Sequence, residues 1–178
     1  MKDLLGDEIE ITDEVVQYLA EMDRDTLEAR ASNLSFVISV APEGGFAMPH
    51  ESFLVFTEAR DAFVNGLYVA TIMLAQAFIE HRLQIFMDQI GESEVANKGI
   101  NSILKRLLVL RPRHAFIIGK LDQMRAFRNP FMHLKPFDHP HTISQVSLQR
   151  RMHPNQVLFN NAKESLSLMY VVATMDLT

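Results

Sequence analysis

The chain has 178 residues, 48% of them hydrophobic, with a mean hydropathy of +0.03 and a formal net charge of -5. That is enough to bury a sizeable core in one domain, or in one domain with an appendage, and the composition is that of a globular protein. The absence of cysteine excludes disulfides, thiolate nucleophiles and cysteine-ligated zinc together, and no apolar run reaches membrane-spanning length.

The opening MKDLLGDEIEITDE is acidic and holds no long apolar stretch, so it does not read as a secretory signal, and a cytoplasmic location follows by default. Thr12 or Asp13 is placed to cap a helix beginning DEVVQYLAEM. DTLEARASNLSFVISV reads as a second helical piece, with FVISV leaving room for a strand. Two glycines and two prolines in VAPEGGFAMP mark a break. From about Ser52 to Ile90 no proline intervenes and helix formers dominate, which predicts one long helix. GESEVANKG reads as a loop, INSILKRLLVL as a short helix ending near Arg111-Pro112, and RHAFIIGKLDQMRAFR as another helix. Between Lys135 and Gln156, prolines and histidines recur without a period, predicting a long excursion. VLFNNAKESLSLMYVVATM closes the chain as an amphipathic helix. With no hairpin signal and no repeat, the predicted class is an all-α helical bundle at 51–178 behind an acidic, partly helical extension at 1–50.

Charge is unevenly spread. The first thirty residues carry ten acidic and three basic side chains, whereas residues 98 to 135 carry nine Lys or Arg against the single acid Asp122. The basic block implies either an anionic partner or a solvated helix face. The acidic residues are expected to lie over the basic segment and restrain it. On the predicted long helix, Ala59, Ala62, Gly66, Ala70, Met73, Ala77, Glu80 and Gln84 fall within an arc of about 80°. That stripe of mostly small side chains runs into Glu80, which either meets water or stands as a carboxylate on an interior seam.

The basic block leads into RAFRNPFMHLKP, Arg125 to Pro136. Proline disfavours helical geometry for the residue before it, asparagine is a good N-cap, and proline suits the first helical position. One helix therefore ends near Arg128, and Asn129 caps a short turn that places His133 in its opening turn; a kinked continuous helix is the alternative. In that position His133 is suited to take a proton and Arg128 to hold phosphate oxygens bidentately. The pairing suits RNA phosphodiester cleavage, in which one group takes the proton of a 2′-hydroxyl and another holds the phosphorane's charge.

Arg128-Asn129-Pro130-Phe131-Met132-His133 resembles the motif of the HEPN superfamily, all-α domains of which many are metal-independent RNases of toxin–antitoxin and defence systems. Its mark is Arg, four to six residues, then His, with Asn or another polar residue often following Arg. VATIMLAQAFIEHRLQIF is similar to the long family helix that ends in an acidic or polar residue near the catalytic corner. The likeness covers roughly residues 52 to 176. A bare Arg-to-His spacing arises about once by chance in such a chain, so Asn129 and the helical setting carry the resemblance. It implies a HEPN-like bundle of four to five core helices and a homodimer whose two motifs face one composite groove. It also implies a catalytic set in which Arg128 polarises the phosphate, His133 is general base or acid, Asn129 orients either and Glu80 supports them. Products would be a 2′,3′-cyclic phosphate and a 5′-hydroxyl, with no metal and no cofactor.

Arg113, His114, Arg125 and Lys135 are the candidates for RNA contacts, and an antitoxin or regulatory protein is a further partner class. Lys135 stands where one subgroup carries a tyrosine for nucleotidyl modification, so that modification is not expected. A non-catalytic HEPN-like module binding RNA or protein is the alternative, and a helical scaffold with a fortuitous motif is a third reading. Asp138-His139-Pro140-His141 reads as an exposed loop rather than a metal site, Arg150-Arg151 as an RNA path or a solvated turn. No hydrolase triad or phosphate-binding loop is present.

Overall fold

The computed structural model describes residues 11–45 and 47–175. Residues 1–10 of the acidic extension, Phe46 of the break and residues 176–178 lie outside the described residues. The described chain is all-α, with no strand among the described residues.

Helix α1 runs from Asp13 to Val40. The Thr12 side chain accepts a hydrogen bond from the Val15 amide (3.4 Å), and Asp13 and Glu14 complement the dipole in the first turn. The two pieces expected here are one helix, because neither glycine nor proline interrupts it. FVISV stays helical because its neighbours reward that geometry. Val37 is buried against the core, the Phe36 ring lies 5.4 Å from that of Phe63, and the Asn33 amide donates to the Phe63 carbonyl (3.0 Å).

The predicted long helix is two: α2 (His50–Val64) and α3 (Tyr68–Gln89). Gly66 adopts φ +75°, and the amides of Gly66 and Leu67 donate back to the carbonyls of Phe63 (3.1 Å) and Ala62 (2.8 Å). This is a Schellman closure, which needs a left-handed residue that glycine adopts without strain. Consequently the proposed stripe is not one seam. On α3 the buried positions are Ile72, Ala75, Ile79, Leu83 and their neighbours, while Ala70, Met73, Ala77, Glu80 and Gln84 are only half-buried.

The GESEVANKG loop contains a helical turn, α4 (Ser93–Ala96), anchored by buried Ala96. Helix α5 (Ile100–Leu110) ends where expected; a 3-10 turn at Pro112–His114 then leads into α6 (Ala115–Met132). The expected excursion holds a further helix, α7 (Ile143–Arg150), capped by the Thr142 hydroxyl on the Gln145 amide. The last helix, α8 (Pro154–Thr174), starts earlier than predicted because His153 caps it and Pro154 fills its first position.

Helices α3 and α8 pack on each other at the centre, with α2 beside both, α6 against both, and α4 and α5 against α3. Phe63, Ile72, Phe78, Leu83, Leu107 and Met169 are fully enclosed. The Tyr170 ring joins this core edge-on to Phe56 at 5.4 Å, and its hydroxyl is buried without a hydrogen-bond partner among the described residues. Burial pushes the Tyr170 phenol above its ordinary value, with Arg60 pulling weakly the other way. The unfolded chain therefore ionises first, near pH ~10, so this group's contribution is complete below that pH and is lost as pH rises through the folded value. Tyr170→Phe forfeits no hydrogen bond. Urea midpoints should show a stability change under about 1 kcal/mol at neutral pH and a shallower alkaline decline than the parent. Equal alkaline declines in the two proteins would refute this.

Candidate functional site

Helix α6 does not stop at Arg128. It continues through Asn129 and Pro130 to Met132, and His133 is its C-cap with extended backbone (φ -139°, ψ 124°). Asn129 is thus not an N-cap; its carbonyl accepts the His133 amide at 2.9 Å. Pro130 lacks the N–H that would reach the Ala126 carbonyl, and it disfavours helical geometry at Asn129. Two tertiary contacts override that preference. Phe131 packs on the core with its ring 5.7 Å from Phe127, one turn back, and Arg128 is held by an acid on another helix. The expectation that rested on a helix N-terminus at His133 falls away, since His133 stands at the opposite end of a helix.

That acid is Glu80. Arg128 Nη2 lies 3.2 Å from Glu80 Oε1, and the Gln76 amide donates to the same oxygen at 2.6 Å. The side chains of Arg128 and Glu80 are 20% and 23% exposed, so the pair sits at the edge of the core between α3 and α6. Gln76 is buried, and its N–H₂ faces the carboxylate because a carboxylate only accepts; its Oε1 has no partner among the described residues.

His133 is exposed, and its ring makes no hydrogen bond or ion pair among the described residues. Positions 128 and 133 would differ by about 140° around a regular helix. Arg128 accordingly turns inward while His133 faces out at the helix end. Asn129 is half-buried between them in sequence. The structure brings Glu80 and Arg128 together and leaves His133 open at the same end of α6.

The basic candidates divide. Arg125 pairs with Asp122 on its own helix (2.8 Å), and Lys135 lies just past the helix end. Arg113 and His114 bond to each other (3.2 Å) at the start of α6, about 20 Å along the axis from Arg128 at 1.5 Å per residue. Much of the basic block has acidic partners from elsewhere in the chain. Lys98 meets Glu94, Arg106 meets Glu92, and Lys120 meets Glu164. With Arg125 and Arg128, these account for five of the nine cations counted between 98 and 135. Arg111 stacks over the Phe86 ring at 5.6 Å.

A cleft of about 310 Å³ opens between α6, α7 and α8, lined by Asp122, His141, Arg150, Asn161, Glu164 and Ser165 among others. It does not take in Arg128, His133 or Glu80. Its signal in the sequence was Arg150; Asn161 and Ser165 are ordinary positions on α8. The His139 and His141 rings sit 5.6 Å apart, with His139 Nδ1 accepting the His141 amide in a turn. Among the described residues no group of three or more His, Asp or Glu is placed to hold a metal ion. No described helix is long and apolar enough to cross a membrane.

Comparison of the chain with protein-family models, curated proteins and solved structures gives no match.

Proposed function

We propose that this chain is a metal-independent endoribonuclease of the HEPN type, acting as a homodimer on RNA in a toxin or defence setting. The observation that supports it is the meeting of Glu80 from α3 with Arg128, five residues before His133, which is exposed and has no partner among the described residues. Glu80 holds one side of the guanidinium and leaves its other N–H groups for phosphate oxygens. His133 moves the proton of the 2′-hydroxyl or of the leaving oxygen, and Asn129 orients the phosphate. The step yields a 2′,3′-cyclic phosphate and a 5′-hydroxyl, and needs no metal.

The test is RNA cleavage in EDTA by the full chain. His133→Ala removes an exposed side chain with no partner, so its urea stability should stay within about 0.5 kcal/mol of the parent. Its cleavage rate should fall by about a hundredfold or more. Absence of cleavage by the parent, or an undiminished rate in the variant, would overturn the reading.

One observation favours a second reading, a non-catalytic HEPN-like module that binds RNA or protein. Glu80 already occupies part of the Arg128 guanidinium, and a carboxylate there competes with phosphate. Salt-dependent RNA binding without turnover is its signature.

A further inference from the structure

The cleft between α6, α7 and α8 has no part in the nuclease reading, and its walls are built of two kinds of side chain. Met124 and Phe127 of α6 and Val146 of α7 line it and are buried, so its floor is apolar. Asp122, Asn161, Glu164, Ser165 and Arg150 stand around that floor. An apolar floor with a few converging polar groups is the usual make-up of a small-molecule site, and about 310 Å³ lies at the small end of such sites. Helix α7 rests on α8, and the cleft separates it from α6.

The polar groups here are spent only in part. The Asn161 amide donates to the Val157 carbonyl at 2.8 Å, one turn back on its own helix, which leaves its Oδ1 to accept. Arg125 pairs with Asp122 Oδ1 and Lys120 with Glu164 Oε1, both at 2.8 Å, and neither cation lines the cleft. The second oxygen of each carboxylate has no partner among the described residues. The Ser165 hydroxyl has none there either, although Ser165 is only 2% exposed. On α7, Arg150 is exposed and makes neither a hydrogen bond nor an ion pair among the described residues.

The lining thus offers acceptors on α6 and α8 and a free guanidinium on α7. Its two carboxylates stand against Arg150 and the imidazole of His141, so it lacks the excess of positive charge that a dianionic mononucleotide needs. A simple amine would leave Arg150 unanswered. A zwitterion answers both sides.

We infer that the cleft binds a free α-amino acid with an apolar side chain. The ligand's ammonium group donates to Asn161 Oδ1 and to the free oxygens of Asp122 and Glu164. Arg150 holds its carboxylate through paired N–H groups, and its side chain lies on Met124, Phe127 and Val146. Bound there, it ties α7 to α6. The site stands independently of the nuclease reading, because it shares none of Arg128, His133 and Glu80.

Calorimetric titration of the full chain with L-leucine and L-phenylalanine tests it, alongside leucinamide, N-acetyl-leucine and adenosine monophosphate. Both free amino acids should bind. Leucinamide lacks the carboxylate and N-acetyl-leucine lacks the ammonium, so each should bind at least about tenfold more weakly than leucine. Arg150→Ala removes an exposed side chain without a partner, so its thermal midpoint should match the parent while its affinity for leucine falls at least about tenfold. The same variant should bind leucinamide as the parent does, whereas Asn161→Ala should weaken leucine and leucinamide alike. Absence of binding by heat and by thermal midpoint, with either amino acid up to about 10 mM, overturns the inference. So does leucine binding undiminished in Arg150→Ala, or leucinamide or N-acetyl-leucine binding as tightly as leucine. Preferential binding of adenosine monophosphate overturns it as well, since the carboxylates would then not set the charge of the ligand.

Discussion

Phe63→Ala should destabilise the fold by about 3–5 kcal/mol, the range for emptying a fully buried aromatic site whose surroundings cannot collapse. Phe63 is 0% exposed, and its ring meets Phe36 of α1 at 5.4 Å, Tyr68 of α3 at 5.8 Å and Phe159 of α8 at 6.1 Å. Lys163 caps the cluster, with its ammonium 4.2 Å from the Phe36 ring centre and 5.4 Å from that of Phe159. Four helices therefore share one side chain, and no neighbour can fill its volume without leaving another contact. The variant should also loosen the hold on α1. The Phe63 carbonyl would still accept Asn33, but the ring that Phe36 packs on would be gone. Urea denaturation gives the total, and hydrogen exchange over residues 31–40 should quicken more than over α3. A loss below about 1 kcal/mol would mean that the cluster repacks and does not anchor the helices as described.

The outline of this fold was open to reading where local chemistry decides it. The cap at Thr12 or Asp13, the Val40–Pro49 break and the Arg111-Pro112 stop each carry their signal in a few residues; Thr12 is the cap, α1 ends at Val40 and α2 starts at His50, and α5 ends at Leu110. Two features were equally local but outweighed by broader patterns. Asn65-Gly66 is a turn dipeptide lost within a run of helix formers, and Thr142 with Gln145 three residues on forms the capping pattern hidden in an aperiodic stretch. Pro130 is a different case. Its local preference points to a helix boundary, and only the packing of Phe131 and the pull of Glu80 keep α6 going. The pairing within the basic block is also set by the fold. Glu92 and Glu164, which neutralise Arg106 and Lys120, stand 14 and 44 residues away in sequence, both outside the 98–135 segment in which the charge was counted. Glu80 and Arg128 were both singled out from sequence, but the contact between them depends on the crossing of α3 and α6.

That contact sets the second large effect. Glu80→Ala should cost more than Arg128→Ala, about 2–3 against about 1–2 kcal/mol. These values fall between those for breaking exposed and fully buried ion pairs, as the partial burial of both side chains requires. The asymmetry follows from Gln76. Removing Arg128 leaves Glu80 still accepting the Gln76 amide, whereas removing Glu80 strands the guanidinium and that amide together. A double-mutant cycle should show coupling of about 1 kcal/mol; additive losses would mean the pair is incidental. Arg128→Ala is consequently not the folding-neutral change that an exposed arginine would allow, and lost cleavage in that variant alone proves nothing. The discriminating measure is cleavage per folded molecule, taken well below the unfolding midpoint. If Arg128 touches the phosphate, that rate falls by about a hundredfold in Arg128→Ala while Glu80→Ala, the less stable protein, keeps more activity. If Arg128 only braces the end of α6, both variants remove the same brace and lose rate per folded molecule alike.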